Sequence, residues 1–137
     1  MSDLVDLMDA TQTAVIAQLS SSAELTRLTT VTQHVLAEGM GWPITRFGKI
    51  ESEPVGGKDE QVEQILFDIE TLYRGQGQAA VLAIMHQQRL ALAAGELQHP
   101  GVILGEPEWQ GGAVDGPGSD GVTYVGLQTF IITAEAA

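Results

Sequence analysis

The first part of the chain carries its apolar residues at helical spacing. Residues 3–19 place these residues on one side of a helix, with Ser2 as the predicted N-cap and acidic residues in the first turn. The serine run 20–22 ends this helix, and Ser22 is placed to cap a short second helix. The pattern therefore predicts two consecutive helices before the first strand.

Strand and turn signals follow. Residues 33–36 are predicted to form a short strand, and residues 39–43 have the composition of a loop. A strand is predicted over 44–52, after a proline that disfavours helix at the residue before it. The segment 53–59 is rich in turn residues and predicts the connection of a hairpin.

Segment 64–74 alternates between two kinds of side chain. One face is mainly apolar and consists of Ile65, Phe67, Ile69 and Tyr73, with Thr71 among them. The other face carries Gln64, Asp68 and Glu70. A period of two predicts a β-strand with one buried face and one hydrated face. Asp68 and Glu70 are expected to lie close together on the hydrated face.

Residues 76–94 form the strongest predicted helix, rich in Ala, Leu and Gln, and Gly95 marks its C-terminal boundary. We expect its broad apolar arc to lie flat on the sheet; this arc consists of Ala79, Leu82, Ala83, Met85, Leu90 and Ala93. The residues left for the outer face are His86, Gln87 and Arg89.

Two further strands are predicted at the C-terminal end, over 102–110 and 122–133. The segment between them, 111–121, contains five glycines in eleven residues and is predicted to be a mobile loop. The last predicted strand has apolar residues at both odd and even positions, so both of its faces carry them. We therefore expect it to be buried on both faces or kinked near Gly126.

The predicted fold is α+β, with one mixed, mainly antiparallel sheet and helices packed on one face. A chain of 137 residues accommodates one domain, so residues 1–137 are expected to form a single unit. The sequence shows no internal repeat or linker composition that would divide it.

Charge and composition narrow the function classes. Eighteen acidic residues against six basic residues give a formal charge of −12, which argues against binding nucleic acid through its phosphates. The negative charge either only keeps the protein soluble or forms a surface that DNA passes without binding to it. The absence of cysteine excludes disulfides and thiol chemistry. No apolar stretch approaches the roughly 20 residues of a membrane helix. The acidic N-terminus is unlike a signal peptide, so we expect folding in the cytoplasm.

One motif suggests nucleotide binding. Gly75 to Ala80 match G-x-G-x-x-[G/A], follow a predicted strand and open a helix, with Glu96 downstream. However, the preceding strand is half polar, whereas a parallel Rossmann strand is buried on both faces. The simpler interpretation is a tight strand-to-helix turn that needs two glycines.

The spacing of histidines and acidic residues along the chain indicates no metal site and no catalytic site. The histidines at 34, 86 and 99 do not have metal-ligand spacing, so no metal or cofactor is predicted. The acid pairs Asp68/Glu70 and Glu106/Glu108 have no predicted nucleophile or basic anchor. The segment 115–120 fails the EF-hand pattern. We predict no catalytic residue and no enzymatic activity.

The order of elements, with the sequences found at their junctions, resembles a known family over residues 3–134. The segments that carry the resemblance are 14–19 and 23–28 in the two helices, Trp42 to Gly48, Tyr73 to Ala80, Asp115 to Gly121, and Gln128 to Thr133. In this arrangement the chain resembles the tail-completion or tail-terminator proteins of long-tailed, siphovirus-like phages and gene transfer agents.

The resemblance implies a structural virion protein at the head-proximal end of the tail, assembled in the host cytoplasm. Its subunits would form a homo-hexameric ring that caps the tail tube, stops tube polymerisation and joins the tail to the head–tail connector or stopper protein. The expected partners are therefore further copies of the chain, the tail tube protein and the connector, with DNA passing through the ring and no membrane involved.

Within this interpretation, two loops are the candidate interfaces. Their residues are Pro54, Gly56, Gly57, Lys58, Asp59, Gly112, Asp115, Gly116, Gly118 and Asp120. Asp68 and Glu70 are the candidate acidic residues facing the channel. Two alternatives remain open: a head-completion or connector (neck) subunit, and a small nucleotide-binding domain that uses Gly75 to Ala80.

Overall fold

The computed structural model describes residues 4–32 and 42–137. Its elements, in chain order, are α1 (Leu7–Ser20), α2 (Ala23–Leu28), β1 (Thr30–Thr32), β2 (Ile44–Pro54), β3 (Val62–Arg74), α3 (Ala79–Ala93), β4 (Val102–Leu104), β5 (Glu108–Asp115) and β6 (Thr123–Ala136). The predicted strand at 33–36 and most of the predicted loop at 39–43 lie outside the described residues.

All six strands belong to one sheet, which confirms the predicted α+β class. The strand order is β1-β2-β3-β6-β4, and β5 also pairs with β6. Only the β1–β2 pair is parallel among the described strands; the other pairs are antiparallel. The long β3–β6 pair runs in continuous register from Val62↔Glu135 to Arg74↔Thr123 and forms the centre of the sheet.

The helices cover one face of this sheet. The first helix begins later than predicted, at Leu7, because Asp6 is its N-cap and its carboxylate accepts a hydrogen bond from the backbone N of Asp9 at 3.0 Å. Ser22 caps α2 as predicted, accepting from the backbone N of Leu25 at 3.2 Å. The buried side of α1 includes Leu7, Val15 and Leu19.

The sheet contributes an aromatic row to the core. Phe47, Phe67 and Phe130, from β2, β3 and β6, stack with centroid separations of 5.3 and 5.6 Å. Ile65 and Ile69 flank this row and are fully buried. The period-two prediction for β3 is confirmed: its apolar face lies under the helices and its polar face is turned away from them.

The predicted buried face of α3 is wrong. The residues that are buried are Val81, Ile84, Met85, Gln88, Ala91 and Leu92. Of the predicted apolar arc, only Met85 is buried; Ala79, Leu82, Ala83, Leu90 and Ala93 are exposed. Apolar residues occur on every side of α3, so the spacing of apolar residues does not identify its inner face. The hydrogen bonds of the buried Gln88 identify that face in the structure.

That glutamine joins α3 to three strands. The Nε2 of Gln88 donates to the hydroxyls of Thr45 at 2.9 Å and Thr71 at 2.7 Å. Its Oε1 accepts from Nε2 of Gln128 at 2.6 Å, and the same Gln128 nitrogen donates to the carbonyl of Met85 at 2.9 Å. Among the described residues, no buried side-chain polar atom lacks a partner. The network fixes the rotation of α3 about its axis because every buried polar group must be paired.

The C-terminal strands also differ from the prediction. Half of the predicted glycine-rich loop, residues 111–115, belongs to β5, and the connection to β6 is shorter. Gly112 lies close to β6, since a Cβ there would be 3.1 Å from the carbonyl of Leu127, a tight contact. The last strand alternates buried and more accessible residues, so it is not buried on both faces. Gly126 lets α3 approach, because a Cβ would lie 2.7 Å from the sulfur of Met85.

Candidate interaction surfaces

The face of the sheet opposite the helices carries the two predicted channel-facing acids. Asp68 and Glu70 lie on this face as predicted, but each has a neighbour. Nε of Arg46 is 2.7 Å from Oε1 of Glu70 and forms an ion pair, and the hydroxyl of Thr129 donates to Asp68 at 2.6 Å. The expectation that no basic group accompanies these acids is therefore wrong, and Arg46 offsets part of their charge.

Apolar side chains share this outer face of the sheet. Cross-strand partners point to the same side, and Leu66 is paired with Ile131 and Glu70 with Leu127. Val125 and Leu127 are both exposed large hydrophobic residues. The outer face is thus a mixture of acids and aliphatic residues.

The β2–β3 hairpin extends beyond the packed part of the molecule. Residues 51–60 are all exposed, including the predicted interface residues Pro54, Gly56, Gly57, Lys58 and Asp59. Pro54 ends β2, and the loop is closed by hydrogen bonds from the backbone N of Val55 to the carbonyl of Val62 and from the backbone N of Glu60 to the carbonyl of Gly57. The structure thus places this group of residues together at one end of the sheet.

The second predicted group divides between a strand and a turn. Gly112 and Asp115 belong to β5, whereas Gly116, Gly118 and Asp120 precede β6. The carboxylate of Asp120 organises the turn: it accepts from the backbone N of Val122 at 3.0 Å and of Thr123 at 2.9 Å, and from the Thr123 hydroxyl. These bonds, the one from the Thr123 hydroxyl foremost, lower the pKa of Asp120 to about 2.

The two predicted loops lie at opposite ends of the sheet. The hairpin loop precedes β3 at Val62, and the Asp120 turn leads into β6 at Thr123, which is paired with Arg74 at the far end of β3. A strand rises about 3.3 Å per residue, so the two ends are separated by roughly 40 Å. The two loops cannot form one continuous surface on a single subunit.

A third surface was not predicted. Between α3 and β5 lies a groove of about 380 Å³, which we call the α3–β5 groove; its defining residues are Leu82, His86, Arg89, Trp109 and Ala113. Leu82 and Trp109 are 53% and 45% exposed, and Leu90, in the adjoining depression, is 49% exposed. This surface was missed because the exposed leucines of α3 were assigned to its buried side.

Trp109 is held in a defined position within this groove. The guanidinium carbon of Arg89 lies 3.9 Å from the centroid of the Trp109 ring, a cation–π contact. The indole Nε1 donates to Oε1 of Gln128 at 3.1 Å, which links Trp109 to the buried network under α3. The rigid core therefore presents a tryptophan and an arginine at the surface, two residue types enriched among the energetically dominant contacts of protein interfaces.

The glycine motif at the start of α3 has structural roles. The strand before it, β3, pairs antiparallel with both neighbours, unlike the parallel unit of a dinucleotide-binding fold. A Cβ at Gly75 would collide with the ring of Tyr73. Gly77 has a φ of +78°, and its backbone N donates to the hydroxyl of Tyr124 at 3.2 Å. The simpler interpretation, a tight turn, accounts for both glycines.

Groups able to hold a metal ion are not found within residues 4–32 and 42–137, where no three His, Asp or Glu side chains cluster. His34 lies outside these ranges, while His86 lines the α3–β5 groove. Of the helices in the described chain, none has the length and apolar character needed to span a bilayer.

Comparison with known proteins gives matches only by structure. No protein-family profile and no curated protein sequence matches the chain. A chain in the virion of a native gene transfer agent particle aligns with a TM-score of 0.84 and 19% identity, over 97% of this chain and 100% of that chain. The bacteriophage SPP1 gp17 protein aligns with a TM-score of 0.57 and 18% identity, over 95% and 90%. This chain therefore shares its fold with a chain of a gene transfer agent virion and with a bacteriophage protein, and the predicted resemblance is confirmed only as a likeness of fold.

Proposed function

We propose that this protein is a tail-terminator subunit of a phage-like particle. Six copies form a ring that caps the head-proximal end of the tail tube, stops its polymerisation and joins it to the head–tail connector. The observation that carries the proposal is the end-to-end match to a gene transfer agent virion chain, with a TM-score of 0.84 and full coverage of that chain.

The placement of the loops supports a subunit that makes contacts at both ends of its sheet. The hairpin loop, including Gly56 and Asp59, and the turn that contains Gly118 and Asp120 lie at opposite ends of the sheet. A capping ring needs contacts to the tube, to the connector and between neighbouring subunits, and exposed loops at both ends of the sheet are available for them. Exposed loops supported by a rigid sheet are typical positions for such contacts.

The acidic charge supports passage of DNA without binding. A hexamer would carry a formal charge of −72, six times the −12 of one chain. In the proposed ring, Asp68 and Glu70 face the channel and repel the phosphates of passing DNA. Replacing both with lysine is expected to slow DNA ejection, and ejection at the wild-type rate would contradict this role.

A gene deletion tests the proposal against its alternative. Particles that lack a terminator have overlong tails, because nothing stops tube polymerisation, and electron microscopy measures this directly. Tails of normal length would instead indicate a head-completion or connector subunit, whether they are attached to unsealed heads or are found detached from the heads.

The turn before β6 offers a more local test. Deleting 111–121 is not suitable, because 111–115 is strand. Replacing 116–122 with a shorter turn is expected to leave the unfolding temperature close to that of the wild type and to abolish tail joining. Wild-type tail joining by this variant would remove the turn from the proposed interface.

A further inference from the structure

Within the described ranges, only some of the basic side chains in this acidic protein are paired with an acidic residue. Three of the six Lys and Arg residues form ion pairs: Arg27 with Glu24, Arg46 with Glu70, and Lys49 with Glu51. Arg89 has no acidic partner among the described residues and lies instead over Trp109 at the surface. An exposed arginine on a tryptophan is therefore available to a carboxylate from outside the subunit.

In the described chain, the residues that line the α3–β5 groove around Arg89 carry no negative charge. None of the described residues that line the α3–β5 groove or its adjoining depression is acidic, although the chain carries eighteen acidic residues. The same surface exposes Leu82, Leu90 and Trp109. An apolar surface with one free guanidinium and no acid fits a partner segment that combines apolar and acidic side chains.

The β2–β3 hairpin of this chain is such a segment. Residues 51–63 carry five acids and one lysine, a formal charge of −4. The side chain of Val55, beside Pro54 at the tip, is 53% exposed. Because residues 51–60 are all exposed, the hairpin can enter a groove on a neighbour without unfolding any packed part of its own subunit.

The sheet places the hairpin and the groove on opposite sides of the subunit. Strand β2 lies on one side of the central β3–β6 pair and β5 on the other. Over residues 47–54, the edge of β2 that faces away from β3 has no strand partner within the described part of the chain, and the same holds for the edge of β5 that faces away from β6. Two different patches on opposite sides give a head-to-tail contact, the type that closes into a ring when repeated by rotation.

We propose that the α3–β5 groove of one subunit receives the tip of the β2–β3 hairpin of the next copy. Val55 packs against Leu82 and Trp109, and hairpin carboxylates bind Arg89. This inference rests on the proposed ring and specifies its subunit contact.

Cysteine cross-linking tests the contact cleanly because the chain has no cysteine of its own. Val55→Cys and Ala113→Cys are prepared as separate proteins, mixed, and treated with a short bis-maleimide, with and without tail tubes. The expected result is a cross-linked dimer in the mixture that is absent from either variant alone. Thr13→Cys, on the exposed side of α1, is the matched control partner for each variant and is expected to give no dimer.

A second substitution connects the cross-link to the charge. Arg89→Glu in the Ala113→Cys protein is expected to abolish the cross-link, whereas Arg89→Lys retains part of it. Unfolding temperatures equal to that of the parent show that the loss is not caused by misfolding. Equal cross-linking by the Glu and Lys variants would remove Arg89 from the contact.

The outcomes separate the contact from the function. Absence of the mixed dimer in both conditions, or a dimer of Val55→Cys with itself, would overturn the proposed contact. If the wild-type protein caps tubes while no mixed dimer forms, the terminator function stands and this contact is wrong. A mixed dimer from a protein that does not cap tubes supports the contact and contradicts the function.

Discussion

Each of the two sides of α3 carries residues that depart from the usual polarity of a surface helix. The side against the sheet buries the polar Gln88 completely, and the side facing solvent exposes Leu82 and Leu90. The inner glutamine is fully hydrogen-bonded and holds the helix in one orientation. The outer leucines have no such role within the subunit. The comparison indicates that the inner side maintains the fold, and the outer side is the one that the proposed subunit contact uses.

The largest expected loss of stability comes from disrupting the hydrogen-bond network on the inner side of α3. Gln88→Leu removes three hydrogen bonds and leaves the hydroxyl of Thr71 and the amide of Gln128 with fewer partners. We expect the free energy of unfolding to fall by about 3 kcal/mol. Urea denaturation measures the change. Gln87→Leu is the matched control, since Gln87 is only partly buried, and a loss of equal size in both variants would contradict the network's role.

A smaller loss is expected from crowding the same side. Gly126→Ala places a Cβ 2.7 Å from the Met85 sulfur and 2.8 Å from a Val81 methyl, so these buried side chains, or α3 with them, must shift. Overpacking of this kind costs about 2 kcal/mol. The control is Gly57→Ala, where no atom lies within 4 Å. An unfolding free energy unchanged by Gly126→Ala would show that α3 is not fixed at this distance.

Substitutions on the outer side of α3 are expected to affect tube capping and to leave the stability of the subunit nearly unchanged. Replacing Leu82 and Leu90 with glutamine is expected to change the free energy of unfolding by less than about 0.5 kcal/mol, because both are surface residues with about half of their area exposed. Tail-tube capping, measured from tube lengths by electron microscopy, is expected to be lost. Ala83→Gln, on the exposed side of α3 but outside the groove, serves as the control. A double variant that caps normally would remove the distinction between the two sides.

The smallest expected effect is local to the turn before β6. The pKa of Asp120 is held at about 2, below the 3.8 of an unperturbed aspartate. The hydrogen-bonded carboxylate therefore contributes stability above about pH 4, and this contribution is lost as the pH falls through about 2. Carboxyl-carbon NMR measures the titration, and Asp120→Asn provides the reference spectrum. A midpoint near 3.8 would show that the turn does not hold the carboxylate.

Local chemistry made part of the fold predictable. The alternation in β3 separates Phe67 and Ile69 from Asp68 and Glu70, so a single period assigns both faces. Ser22 caps α2 through a side chain whose preference for that position is strong. In both cases, the information lies within a few residues of the feature it determines.

The incorrect predictions have a common physical origin in contacts between distant segments. The inner face of α3 depends on Gln88 meeting Thr45, Thr71 and Gln128, which are 17 to 43 residues away. Gly112 was assigned to a mobile loop because glycine is common in loops, yet it belongs to β5 and is paired with Gln128 of β6. The α3–β5 groove was missed as a consequence of both errors, since it lies between the exposed side of α3 and β5.

The proposal of a capping ring is tested most directly by imaging the purified protein on tail tubes. Tubes of the tube protein are incubated with the wild-type chain, and cryo-electron microscopy averages are calculated for the tube ends. We expect a six-fold ring on one end of each tube, with no further growth at that end when tube protein is added. Bare ends that continue to elongate would contradict the proposed function.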